Sequence, residues 1–137
     1  MKTTTGKAFA AWKALDSALT TSLETAERQK VVKIWYALAE IAKRYGELID
    51  KALTELKPEN WDELAVKTQF TPEELAEFRT KQAAYNKEVE EVLQPESDKE
   101  VEVEVADKLS LDTALKLLAE NKWPISKLGE LSIVVNK

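Results

Sequence analysis

Lys99–Ala106 reads KEVEVEVA, with Glu100, Glu102 and Glu104 alternating with Val101, Val103 and Val105. A period of two places the valines on one face of an extended strand and the carboxylates on the other. Almost everything upstream carries helical periodicity instead. A lone strand leaves its backbone donors and acceptors unmet, so it must find a partner in this chain or in another.

Upstream, Phe9, Trp12, Leu15 and Leu19 share one helical face, predicting a first helix over about 7–19. Thr20, Thr21 and Ser22 then form a weak break. Thr21 and Glu24 have capping-box spacing, so either a second helix starts there or one bent helix continues. Val31, Leu38, Tyr45 and Ala52 recur every seven residues. Ile34, Ile41 and Leu48 flank that row on one side; Trp35, Ala42, Ile49 and Leu56 flank it on the other. So wide an apolar face touches two neighbours, as in a bundle. Pro58 closes this helix. Asn60 with Glu63 opens a short one containing Trp61. Thr71-Pro72-Glu73-Glu74 combines an N-cap, Pro at the first helical position and Glu at the third, and predicts a helix from there to about Leu93, before Pro95.

Beyond the strand, Ser110 caps a predicted helix from Leu111 to about Asn121, ended by Trp123-Pro124. The tail after Gly129, LSIVV, is rich in β-branched residues and reads as a second strand. The expected architecture is therefore mainly α. It is an antiparallel bundle of long helices over residues 1–94, with a small β-α-β subdomain over residues 95–137 that carries a two-stranded β element. Thr3, Thr4 and Thr5 read as a frayed terminus.

Composition narrows the chemistry. The 137 residues include no cysteine and no histidine, which removes thiol nucleophiles, thiolate or imidazole metal sites and the usual general base near neutral pH. Glycines 6, 46 and 129 are isolated, so no phosphate-cradling loop exists. Most acids have a structural explanation. Glu24–Arg28, Glu40–Arg44, Glu47–Lys51, Glu63–Lys67, Glu77–Lys81 and Asp112–Lys116 all place the acid four residues before the base, the favourable order on a solvated helix face. A net charge of −5 disfavours non-specific nucleic-acid binding, and the only arginines are Arg28, Arg44 and Arg79. No apolar run is long enough for a membrane span, and Lys7 and Lys13 interrupt any leader-like stretch, so a chain that stays in the cytoplasm is expected. No catalytic residue, cofactor or metal is expected.

The strand admits two pairings. In one, residues 100–105 pair with 131–135 inside the chain, and Val101, Val103 and Val105 join Leu131, Ile133 and Val135 over the helices. In the other, the small sheet keeps an open edge and is completed by a strand from another subunit or partner, with the carboxylate row facing lysines. The candidate interface is therefore Val101, Val103, Val105, Ile133 and Val135, with Glu100, Glu102 and Glu104 supplying charge. Trp123, at a helix end beside Pro124, is the candidate aromatic anchor. Tryptophans 12, 35 and 61 are expected in the core, and Tyr36 falls off the main seam toward solvent.

The order of segments adds a resemblance. A long helix ending EVEEVLQ is followed by VEVEV, then KLSLDTALKLL, then LGELSIVV; the front half carries AWKALDSAL and KRYGELID. This pattern resembles a group of small tailed-phage proteins with no assigned activity and no known functional residues. It covers most of the chain, but 57–71 has no counterpart in it. The resemblance implies a phage or prophage origin and non-enzymatic work as a virion structural protein, an assembly factor or a host-directed effector. The expected partners are protein subunits, either copies of this chain or other phage proteins, in the host cytoplasm or in a virion, with no direct nucleic-acid or membrane contact. The other function considered is an acidic inhibitor of a host nucleic-acid-processing or defence enzyme. It requires a continuous acidic face, which the acid–lysine pairing works against.

Overall fold

The N-terminus, not the C-terminal tail, pairs with the Glu/Val strand. In the computed structural model, which describes residues 1–136, β1 (Lys2–Thr4) runs antiparallel to β2 (Glu100–Glu102). Lys2 lies opposite Glu102, Thr3 opposite Val101 and Thr4 opposite Glu100. The ladder continues past both ends of β1. The Val103 amide donates to the Met1 carbonyl at 2.9 Å, and the Thr5 amide to the Lys99 carbonyl, also at 2.9 Å. The threonine run is thus part of the fold rather than a frayed end. Thr3 and Thr5 are buried, and the Thr4 side chain caps the following helix by accepting from the Lys7 amide at 3.3 Å. β-branched threonines suit a half-buried strand as well as valines do.

The tail LSIVV is helical where a strand is expected. It lies in α6 (Lys127–Leu131) and a 3₁₀ turn over Ser132–Val134, and Val135 makes one parallel bridge to Leu109. Burial explains the difference. Leu131, Val134 and Val135 are buried while Ile133 is only half-buried, which is spacing i, i+3, i+4 rather than alternation. Five apolar residues are too few for periodicity alone to separate the two. The Leu109 amide donates to the Val134 carbonyl at 2.8 Å and the Asn136 amide to the Leu109 carbonyl at 2.7 Å, so the tail's backbone is tied down without a ladder.

The chain is mainly α with this small β element. Before β2 come α1 (Thr5–Asp16), α2 (Thr25–Glu55), α3 (Trp61–Val66) and α4 (Pro72–Ser97); after it come α5 (Leu111–Asn121) and α6. Several starts follow their sequence signals. The Thr71 hydroxyl accepts from the Glu74 amide at 3.2 Å, and the Ser110 hydroxyl from the Thr113 amide at 3.2 Å. Other signals are redirected. Asn60 sits in the left-handed region at φ 60° and makes no side-chain cap bond. The Thr21 hydroxyl donates to Glu120 instead of capping α2, which begins at Thr25. Pro95 stands inside α4, which runs on to Ser97 instead of stopping before the proline. Among the expected helix pairs Glu40–Arg44 forms at 2.6 Å, whereas Lys51 and Lys67 turn to Glu55 and Glu74.

Two compact units result: residues 1–45 together with those from Glu96 onward, and Gly46–Pro95. This differs from the expected division into 1–94 and 95–137. β1 pairs with β2, and α1 packs against α6 and the 3₁₀ turn; together these contacts draw the N-terminal segment into one unit with the C-terminal segment.

The first unit holds the main core. Ala8, Ala11, Ala14 and Leu15 of α1 pack with Ile34 and Leu38 of α2, Leu117 of α5, Leu131 and Val134. Alanine on the buried face of α1 lets neighbouring backbones approach closely. The first turn of α1 shows this at Gly6, where an added Cβ would crowd the Ser97 hydroxyl and come within 3.3 Å of the Ser97 carbonyl oxygen. A hydrogen-bonded clamp holds the segment between α1 and α2. The Asn121 side chain accepts from the Leu19 amide at 2.7 Å and donates to the Leu19 carbonyl at 3.0 Å, while Glu120 accepts from the Ser22 amide at 3.1 Å and the Ser22 hydroxyl at 2.7 Å. The Thr113 hydroxyl donates to Glu27, tying α5 to α2. The second unit has a thinner core of Ala52, Tyr85 and Val89, edged by Leu56, Trp61 and Leu93, with Trp61 stacked 5.4 Å from Phe78.

Two predictions arise from these contacts. The Thr3 hydroxyl is buried with no partner, so it pays desolvation for nothing. Valine has the same shape, and Thr3→Val is expected to raise stability by about 1 kcal/mol, measured by urea unfolding. The second concerns acid. The Thr21 hydroxyl first, and the Ser22 hydroxyl and amide next, hold the Glu120 carboxyl below its ordinary pKa. A carboxylate lowered on folding stabilises the protein above its ordinary pKa, and that contribution fades as pH falls through the lowered value. Glu120→Gln is therefore expected to be less stable than the parent at neutral pH and equal to it in acid, in unfolding curves taken across the acid range.

Candidate protein-interaction surface

The register of the ladder decides what β2 offers to other molecules. The Met1 amino group donates to the Val103 carbonyl at 3.0 Å and the Val103 amide returns a bond to Met1, so residues 1 and 103 form a hydrogen-bonded pair. Antiparallel pairs alternate. Lys99, Val101 and Val103 thus turn their backbone groups toward the N-terminal strand, and Glu100, Glu102 and Glu104 turn theirs away. Among the described residues, no backbone hydrogen bond is taken up by those glutamates on the outer side. β2 is an edge strand with its outer edge open.

The side chains alternate as the sequence predicts. Glu100, Glu102 and Glu104 are exposed, Val103 is 2% exposed, and Val101 and Val105 are half-buried. The Glu102 carboxylate accepts from the Met1 amino group at 2.6 Å. That hydrogen bond, with the attraction of the amino group and of Lys2, holds the Glu102 carboxyl below the ordinary glutamate range. Glu104, Val105 and Asp107 line a cleft of about 140 Å³ with Lys30, Lys33 and Ile34 of α2. Among the described residues Glu100 has no ion-pair partner within 4.0 Å.

The other candidate residues lie elsewhere. Val135 is buried and Ile133 half-buried; both lie in the tail, where Val135 bridges Leu109 and does not pair with β2. Val103 and Val135 are core residues and present no side-chain surface to a partner. Trp123 is half-buried against the main core, with the Lys127 ammonium 5.3 Å from its ring centre.

Two surfaces of the first unit escape the sequence analysis. Along α1 and α2, Phe9 stacks on Trp12 at 6.4 Å, Trp12 on Trp35 at 6.0 Å, and Trp35 neighbours Tyr36, which is 76% exposed. The Trp35 ring nitrogen donates to Asp16 at 3.0 Å, whereas that of Trp12 is buried without a partner. On α5, Leu111 and Leu115 stand exposed one turn apart. The i, i+3 spacing of Phe9 and Trp12 is visible in the sequence, but their meeting with Trp35 is not, because it depends on how two helices pack.

Among the described residues no helix is long and apolar enough to cross a membrane. No family model, curated protein or solved structure matches the chain.

Proposed function

We propose that this chain is a non-enzymatic interaction protein, an assembly component that binds other protein subunits through the β2 edge and the exposed apolar surface of the same unit. The open outer edge of β2 carries this reading. Among the described residues it is an unpaired row of backbone donors and acceptors on a two-stranded sheet, and such edges pair readily with another chain. Exposed Tyr36, Leu111 and Leu115 add apolar contact of the kind that anchors interfaces. A phage origin, and work in the host cytoplasm or within a particle, rests on the segment order described above.

The test is the state of the purified chain, alone and after co-expression with the genes that flank its own. Light scattering at high concentration and cross-linking mapped to residues are expected to show a stable complex with contacts on the first unit. A monomer at all concentrations that retains no neighbouring gene product would overturn the proposal.

A further inference from the structure

Resting on that reading, the geometry points to the kind of partner the edge takes: we infer that β2 pairs with an extended segment of another protein that alternates basic and apolar residues, and not with a second copy of itself. A strand added to the outer edge of β2 would form its hydrogen-bonded pairs with Glu100, Glu102 and Glu104. Side chains directly opposite across such a pair lie about 5 Å apart. On the solvent face the newcomer therefore meets a row of carboxylates. If the newcomer were β2 of a second copy, glutamate would face glutamate, which is destabilising.

The chain already shows which charge β2 accepts. Its inner partner β1 sets Lys2 opposite Glu102, and the Met1 amino group closes on the same carboxylate. Among the described residues Glu100 has no such counter-charge within 4.0 Å. The opposite face adds a second requirement. Val103 is sealed in the core, but Val101 and Val105 remain half-buried. An apolar residue on the inward face of the added strand would cover what β1 leaves open. Basic residues outward and apolar residues inward, in strict alternation, satisfy both faces.

A synthetic peptide of sequence Lys-Thr-Lys-Val-Lys-Thr, blocked at both ends, tests this with the full chain. A scrambled peptide, Lys-Lys-Lys-Thr-Val-Thr, has the same composition and charge without the alternation. The alternating peptide is expected to bind about tenfold tighter than the scrambled one, the sum of a few cross-strand pairs, and to slow amide exchange at Glu100, Glu102 and Glu104. Glu100→Lys is expected to weaken it without unfolding the chain, since Glu100 is exposed. Equal affinity for the two peptides, or binding that leaves those amides unprotected, would mean bulk charge attraction and overturn the inference. So would concentration-dependent protection of the same amides in the chain alone, which would make a second copy the occupant. If the peptide fails while co-expressed subunits still bind elsewhere on the first unit, only the edge assignment falls. If neither binds, the interaction reading falls with it.

Discussion

Val134→Asp is expected to lower the stability of the first unit by more than about 3 kcal/mol, because it places an unpaired charge in a closed apolar site. Val134 has no exposed surface and packs with Leu131 and Leu109 in the main core. The result separates two structures of the tail. In a strand carrying Leu131, Ile133 and Val135 inward, Val134 would point to water, and the same substitution would change stability by less than about 0.5 kcal/mol. Urea unfolding followed by far-ultraviolet circular dichroism reads the difference. Ile133→Asp reverses the order: it should be the milder of the two here, since Ile133 is half-buried, and the harsher in a strand.

Val103→Asp is expected to be as damaging, by more than about 3 kcal/mol. Val103 is 2% exposed beneath the ladder that joins Met1 to residue 103. The next residue provides the control. Glu104→Thr replaces an exposed side chain with a good strand former and should stay within about 0.5 kcal/mol of the parent. A loss confined to Val103 would show that the period of two in the sequence is the period of burial in the fold. Similar losses at both positions would place both side chains inside, against the register described.

What the sequence makes legible follows from the range of the interaction. Caps at Thr71 and Ser110 depend on residues three apart, and both form. The helical class of the chain and the alternation at 100–105 are likewise local patterns, and they appear as written. Pairing is not local. The Met1–Thr4 segment is too short to show apolar alternation, since its one buried position holds Thr3 and only Met1 among the rest is apolar, and its partner lies about a hundred residues away. The tail does advertise a strand, yet its β-branched residues serve equally well on the buried side of a short helical turn. The compact units differ from the division at residue 94 for the same non-local reason, since the N-terminal segment packs with the C-terminal one.

The candidate surface divides along the same line. The exposed glutamates and the inward valines are local consequences of alternation. Placing Ile133 and Val135 beside them required the wrong strand partner. The position of Trp123 at a helix end beside proline is legible in the sequence, but the core contacts and Lys127 that partly cover it come from the fold. The aromatic row from Phe9 to Tyr36 is not legible in the sequence because it is assembled across two helices.

Among the described residues β2 is paired on one side only, with its outer edge open. Hydrogen exchange of the backbone amides at 99–105, followed by NMR on the full chain without added partner, reads this out residue by residue. Slow exchange at Val101 and Val103 with fast exchange at Glu100, Glu102 and Glu104 is the predicted alternation. Uniform protection along the strand, or protection of the glutamate amides instead, would contradict it.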